Sequence, residues 1–225
     1  MSKNDRLDER ILDLINEAKE QEKPSGEASE NLEKYLREES SIYTWLIIDG
    51  EFIDFDEYLV IENKVIMMVP NDFEEMDEET ARMKYPSEQR PKTILTDSTG
   101  TINILFNWMD EEISNNETES FRDSMIDMFN RLNPAIEIQS TGMEVISGNK
   151  NVAYMEFVHP VLDGNLYNLM FFLELEGRIL MGIFNCRTQS MEEWKGPAFE
   201  MMESIVTGDF SALYPRKWTK RSPRF

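Results

Sequence analysis

Leu166-Tyr-Asn-Leu-Met-Phe-Phe-Leu-Glu-Leu175, a turn at Glu176-Gly177, and then Arg178-Ile-Leu-Met-Gly-Ile-Phe-Asn-Cys186 decide how this chain folds. Successive side chains in a strand point to opposite faces of the sheet. Tyr167, Leu169, Phe171, Leu173 and Leu175 form one side, and Leu166, Met170 and Phe172 contribute to the other. A strand that is apolar on both sides needs a layer packed on each face. The expected fold is therefore α+β: an antiparallel β-sheet covered on both faces.

Working outward, the segments about 136–146 and 151–158 flank Gly148-Asn149, and Asp163-Gly164 leads into 166–175, which completes a meander. Helices bracket it. Asn116 with Glu119 three residues later reads as a capping pair, ahead of an inward stripe of Phe121, Met125, Met128, Phe129 and Leu132. Ser190 with Glu193 reads the same way ahead of Trp194, Ala198, Met201 and Ile205, where Pro197 either marks the true start or kinks the helix. Further upstream, Ile102, Ile104, Phe106 and Trp108 share one face of a strand over 101–108. Trp45 to Ile48, Asp49-Gly50 and Phe52 to Ile61 read as a hairpin, because a tight turn wants positive φ at both central residues. Val65 to Val69 is another strand, ended by Pro70. Asp72 to Glu79 reads as a solvated acidic segment, and Tyr85-Pro86 to Arg90-Pro91 as a loop.

The ends differ from this body. Residues 1–40 form an acidic helical arm, with Leu7, Ile11, Leu14, Ile15 and Ala18 on one stripe and a break at Pro24 and Gly26. Residues 41–210 make the single α+β domain. Residues 211–225 are a basic tail, with five Lys or Arg and no acid from Tyr214 onward. The tail either folds back on the acidic body or reaches an acidic partner or lipid surface.

Composition narrows the role. The 225 residues carry 44 Asp and Glu against 23 Lys and Arg, a formal net charge of −21. That balance opposes nucleic-acid binding, which needs a field of Lys and Arg on the phosphates, and it opposes membrane contact except through the tail. A single cysteine excludes an internal disulfide or a CxxC pair. No apolar run is long enough for a membrane span or a secretory leader, so a cytoplasmic location is expected.

Chemistry is sparsely written. The only histidine, His159, falls in a connection before Pro160, and Cys186 falls late in a strand; a placement as near neighbours would make a Cys–His pair in a small hydrolase or transferase one alternative. Carboxylate pairs among the acids are another, although nothing singles out two of them. Phosphate-binding loops are missing, and no residues suggest a cofactor or metal. Methionine stands out, with 15 residues including Met67-Met68 and Met201-Met202. Two readings fit: core filler, or an adaptable apolar surface for another protein's segment.

The order of elements over residues 57–206 resembles the PsbP-like superfamily, in particular its bacterial DcrB-like branch. The phrases that carry the likeness are Met68-Val-Pro70-Asn-Asp-Phe73, Lys84-Tyr-Pro86 to Arg90-Pro91, the following strand and helix, the meander, and Trp194 to Ser204-Ile205. The resemblance implies an α/β/α sandwich and members without enzymatic activity: a photosystem extrinsic subunit, a Ran-binding transport factor, and chaperones that hold apolar segments of effectors. It transfers no functional residue, and the arm and tail depart from its compact pattern. The resulting expectation is a non-enzymatic protein-binding module of adaptor or chaperone type with an apolar, Met-containing face. Met67 and Met68 on the sheet and Tyr85 and Arg90 in the loop are the candidate contacts, since aromatic and Arg side chains dominate interfaces. A carrier of a small apolar ligand is the remaining alternative.

Overall fold

A computed structural model describes residues 40–61, 63–88, 90–161 and 164–212. The chain divides into a unit of residues 1–41 and a unit of residues 42–225. The expected helical arm and nearly all of the basic tail lie outside the described residues.

The first strands are β1 (Leu46–Ile48), β2 (Glu51–Ile53), β3 (Phe55–Ile61), β4 (Val65–Pro70) and β5 (Glu74–Glu75). Helix α1 (Glu78–Lys84), β6 (Thr93–Thr96), β7 (Asn103–Glu112) and helix α2 (Thr118–Leu132) follow. The meander comprises β8 (Glu137–Ile146), β9 (Lys150–Val161), β10 (Gly164–Leu175) and β11 (Arg178–Arg187), before helix α3 (Met191–Glu203) and β12 (Val206–Thr207). The main sheet has seven strands in the order β5-β6-β7-β11-β10-β9-β8; β12-β4-β3 form a second sheet and β1-β2 a third. Every pairing is antiparallel. The protein is an α+β protein built mostly of antiparallel sheet.

The two alternations of β10 fall into different clusters. Tyr167, Leu169, Phe171 and Leu173 join Ile104 and Phe106 of β7, Met67 and Val69 of β4, and Trp194, Ala198 and Met201 of α3 in the largest core cluster. Met170 and Phe172 join Met155 and Phe157 of β9, with Phe121, Met125, Ile126 and Phe129 of α2 packed on them. A third, small cluster gathers Met76, Ala81 of α1, Ile94 of β6 and Leu105 of β7. Each large side chain so buried is worth roughly 1.5–3 kcal/mol. The expected face of β7 holds, since Ile102, Ile104, Phe106 and Trp108 all meet the largest cluster, and so does the inward stripe Trp194, Ala198, Met201 and Ile205.

Several local readings are corrected. The hairpin after Asp49-Gly50 has the required positive φ of 53° and 79°, but its second limb splits: β2 pairs with β1, whereas β3 pairs with β4. The acidic stretch is solvated as expected, with Asp72, Glu74, Glu75, Asp77, Glu78 and Glu79 exposed, but it also holds regular structure: β5 pairs with β6, and Asp77 caps α1 by accepting from the Thr80 amide at 3.0 Å. Asn116 does not cap α2. The helix starts at Thr118, and the Glu117 carboxylate accepts from the Ser114 amide at 2.9 Å. Leu132 is exposed and Ile126 takes its inward place. Ser190 makes no side-chain cap bond, and α3 runs from Met191 straight through Pro197.

Candidate functional site

On the sheet face that carries α1 and α2, the two helices stand over opposite flanks. The contacts of α2 fall on β9 and β10, and α1 sits over Ile94 of β6 and Leu105 of β7. With only seven residues, α1 is too short to reach across the sheet. Between the helices lies a cleft of about 830 Å³ over β10 and β11, lined by Tyr85 at the end of α1 and Phe129 on α2.

Register orders this face of the sheet, part of which floors the cleft, in rows, because side chains directly opposite in adjacent strands share a face. Met155, Met170, Ile183, Leu105 and Ile94 lie in one continuous apolar row. The next row, two residues along, is Phe157, Asn168, Asn185 and Asn103. The row after that, at the rim, is His159, Leu166 and Arg187. Along the strands this face thus turns from an apolar row to an asparagine row and then to a mixed rim of His159, Leu166 and Arg187.

All three asparagines of the amide row are buried, so each polar group needs a partner. Asn103 Nδ2 donates to Asn185 Oδ1 at 2.9 Å. Asn103 Oδ1 accepts from Thr96 Oγ1 at 2.9 Å and from Lys84 Nζ at 3.1 Å, and Lys84 also donates to the Gly100 carbonyl. Burial pushes the Tyr85 pKa up, and the nearby Asn185 amide pulls against it. Asn168 Nδ2 lies 3.1 Å from His159 Nδ1. An amide NH₂ only donates, so Nδ1 is the acceptor and the neutral ring carries its proton on Nε2. Burial holds the His159 pKa below its ordinary 6.5, which favours that neutral form.

Charge sets the cleft apart from the rest of the molecule. None of the described residues lining it is acidic, and Lys84 and Arg187 are among them, in a chain of net charge −21. By contrast, a second cavity of about 720 Å³ is bordered by Asp110, Glu112, Glu117 and Glu176.

The four candidate contacts do not come together. Met67 is 1% exposed inside the largest cluster, so its side chain offers a partner no area. Met68 is half-buried against the same cluster, and its amide donates to Ser204 Oγ at 2.9 Å. Arg90 lines a separate cavity of about 500 Å³ beside Glu75, Glu78 and Glu88. Tyr85 alone lines the cleft. The methionines of the cleft are Met76 and Met170.

Cys186 and His159 are not neighbours. Strand β10 lies between their strands. Cys186 pairs with Tyr167 on the α3 face, whereas His159 pairs with Leu166 on the cleft face. Burial also pushes the Cys186 thiol up to about 12. The two side chains are therefore not placed as a hydrogen-bonded thiol–imidazole pair. The amide row is absent from the sequence-based candidates, and its signal is an asparagine within an otherwise largely apolar stretch of each of three strands: Asn103, Asn168 and Asn185.

No protein-family model matches the chain, and no curated protein does so either. Solved structures do. Cyanobacterial PsbP (CyanoP) from Synechocystis sp. PCC 6803 is similar at 13% identity and a TM-score of 0.51, over 68% of this chain and 92% of that one. LpqN, involved in cell envelope biogenesis of Mycobacterium tuberculosis, is similar at 10% identity and a TM-score of 0.45, over 78% of this chain and 96% of that one. PA94 of Pseudomonas aeruginosa, a protein of unknown function, gives 9% identity and a TM-score of 0.40, over 68% and 96%. The agreement with cyanobacterial PsbP is one of fold, and it matches the element order that points there from the sequence: this chain has a PsbP-like fold.

Proposed function

We propose that the domain is a non-enzymatic binding module of adaptor or chaperone type, and that the cleft between α1 and α2 holds an apolar segment of another protein. The observation that carries this reading is the cleft itself: about 830 Å³ over a floor that includes Met76, Leu105, Met170 and Ile183. Flexible thioethers adapt to segments of varied shape. The separation of Cys186 from His159 by a strand and by the sheet plane supports a binding role over thiol chemistry. We read the layers as an α/β/α sandwich, on the support that α2 packs with one alternation of β10 and α3 with the other.

The test is fluorescence anisotropy with a labelled hexapeptide of Leu, Met and Ile. Leu166, half-buried in the rim row, is replaced by glutamate. Binding to the natural chain, and at least a tenfold loss in Leu166→Glu with an unchanged circular dichroism spectrum, is the expected result. Equal binding by both proteins contradicts the assignment of the cleft. A second reading, a carrier of a small apolar ligand, is favoured by the cleft volume, which falls within the roughly 300–1,000 Å³ of small-molecule pockets. Native mass spectrometry of the purified protein distinguishes the two by a retained mass.

A further inference from the structure

We infer that the outer edge of β8 receives an extended segment of another protein, one in which apolar residues alternate with Lys or Arg. This surface is separate from the cleft, since none of the described residues lining the cleft belongs to β8. Strand β8 ends the order of the main sheet, and among the described residues no strand pairs with its outer side. Such an edge presents backbone N–H and C=O groups that template a further strand. The opposite edge, β5, has only two residues, whereas β8 has ten.

Exposed edges are commonly guarded by Lys, Pro or a bulge. Strand β8 contains neither Lys nor Pro. Its register shifts between Ile138 and Ser140, and Arg122 of α2 donates to the Gly142 carbonyl at 2.8 Å. Beyond those two points, Met143 to Ile146 pair regularly with Ala153 to Lys150. The side chains of this unguarded half divide by character. Met143 and Val145 lie opposite Ala153 and Asn151, on the α2 side, and are 41% and 61% exposed. Glu144 lies opposite Val152 of the largest cluster, on the α3 side. Burial first, and then the charges of Glu144 and Glu200, raise the Glu203 pKa, so the three carboxylates stand near one another. Glu200 also accepts from the Ile42 amide at 3.3 Å, and Lys195 of α3 is held by Glu156 at 2.7 Å. A strand added here sets alternate side chains beside Met143 and Val145 on one face and beside Glu144 and Glu203 on the other. Apolar residues suit the first face, and Lys or Arg suits the second. A second copy of β8 does not supply that pattern, since it brings Glu137 and Glu144 and no Lys or Arg.

The experiment measures the anisotropy of a labelled octapeptide of alternating Val and Lys on the full chain. One control is the same peptide N-methylated throughout, which cannot donate along either edge. The other has the same composition and charge, with all the valines before the lysines. The alternating peptide is expected to bind about tenfold more tightly than the N-methylated one, the scale of two backbone hydrogen bonds, and several-fold more tightly than the block peptide. Glu144→Lys is expected to weaken it about fivefold, the upper scale of an exposed ion pair, with an unchanged circular dichroism spectrum. The cleft variant Leu166→Glu is expected to bind it as the natural chain does. No binding of the alternating peptide, or equal binding of it and either control, overturns the inference. A loss in Leu166→Glu with none in Glu144→Lys places the peptide in the cleft, which overturns the inference and leaves the cleft reading standing. A dimer by light scattering that Val145→Lys dissolves gives the edge to a second copy and overturns it as well.

Discussion

The two faces of the main sheet are built from the same strands and end in opposite states. On one, Phe171 lies across from Gly182, and a Cβ added at Gly182 would meet the Phe171 ring at 2.1 Å. Phe106 meets the same ring edge-on at 6.2 Å, and Trp194 of α3 stacks on Phe184 at 5.9 Å. Even the acid of this face is fully engaged, since buried Glu156 accepts from Tyr167 at 2.7 Å and from Ser140, and pairs with Lys195 at 2.7 Å. On the other face two helices leave the ends of β10 and β11 bare between them. The difference teaches that closure here depends on cover length. A thirteen-residue helix and a second sheet seal one side. A fifteen-residue helix and a seven-residue helix leave a cleft on the other.

The comparison breaks first at the closed face. Phe171→Ala is expected to cost about 4 kcal/mol, within the range for a large aromatic emptied from a core, whereas Leu166→Ala in the cleft costs less than about 1 kcal/mol; urea denaturation of both measures the asymmetry. Gly182→Ala comes next, at about 2 kcal/mol, because the ring of Phe171 is fully buried and has nowhere to yield. If Gly182→Ala is neutral, the closed face is looser than described.

Titration sharpens the contrast further. Burial raises the Glu156 pKa, but bonds from Lys195, Ser140 and Tyr167 outweigh it and hold the carboxyl below its ordinary 4.5. A carboxyl held low in the folded state stabilises above its unfolded value and loses that contribution as pH falls through the folded one. The urea midpoint should therefore drop as pH is lowered below about 4.5 and drop less steeply in Glu156→Gln. The smallest effect belongs to the cleft. His159 is neutral in the folded state because burial lowers its pKa, so its contribution is present above 6.5 and declines as pH falls below that value. As the only histidine, it gives a clean proton NMR titration, expected to have its midpoint below 6.5. A midpoint above 6.5 would place an anion beside the ring.

How much of this is legible in the amino-acid sequence depends on where the information lies. Apolar residues on both alternations of 166–175 announce cover on both faces, because burial of a strand is written in its own residues. The asparagine row is not legible as a row. Asn103, Asn168 and Asn185 are far apart in the chain, and only register makes them neighbours. Helix α1 is hidden because seven residues are too few to show a period, and its acidic first turn blends into the surrounding charge. Met67 misleads for a related reason. Val65 to Val69 is apolar at every position, so alternation cannot say which side faces the core, and the fold gives Met67 to the core and leaves Met68 half-buried. Tyr85 is legible as an aromatic beside proline, yet its meaning comes from the cleft it lines with Asn185, a hundred residues away in sequence.

Methyl NMR on the full chain, with its 15 methionines labelled at the terminal carbon, addresses the central claim most directly. On adding the Leu/Met/Ile hexapeptide, the resonances of Met76 and Met170 are predicted to move, while those of Met67, Met201 and Met202 stay fixed within the sealed face. Movement confined to the sealed-face methionines, or movement of none, would contradict the account.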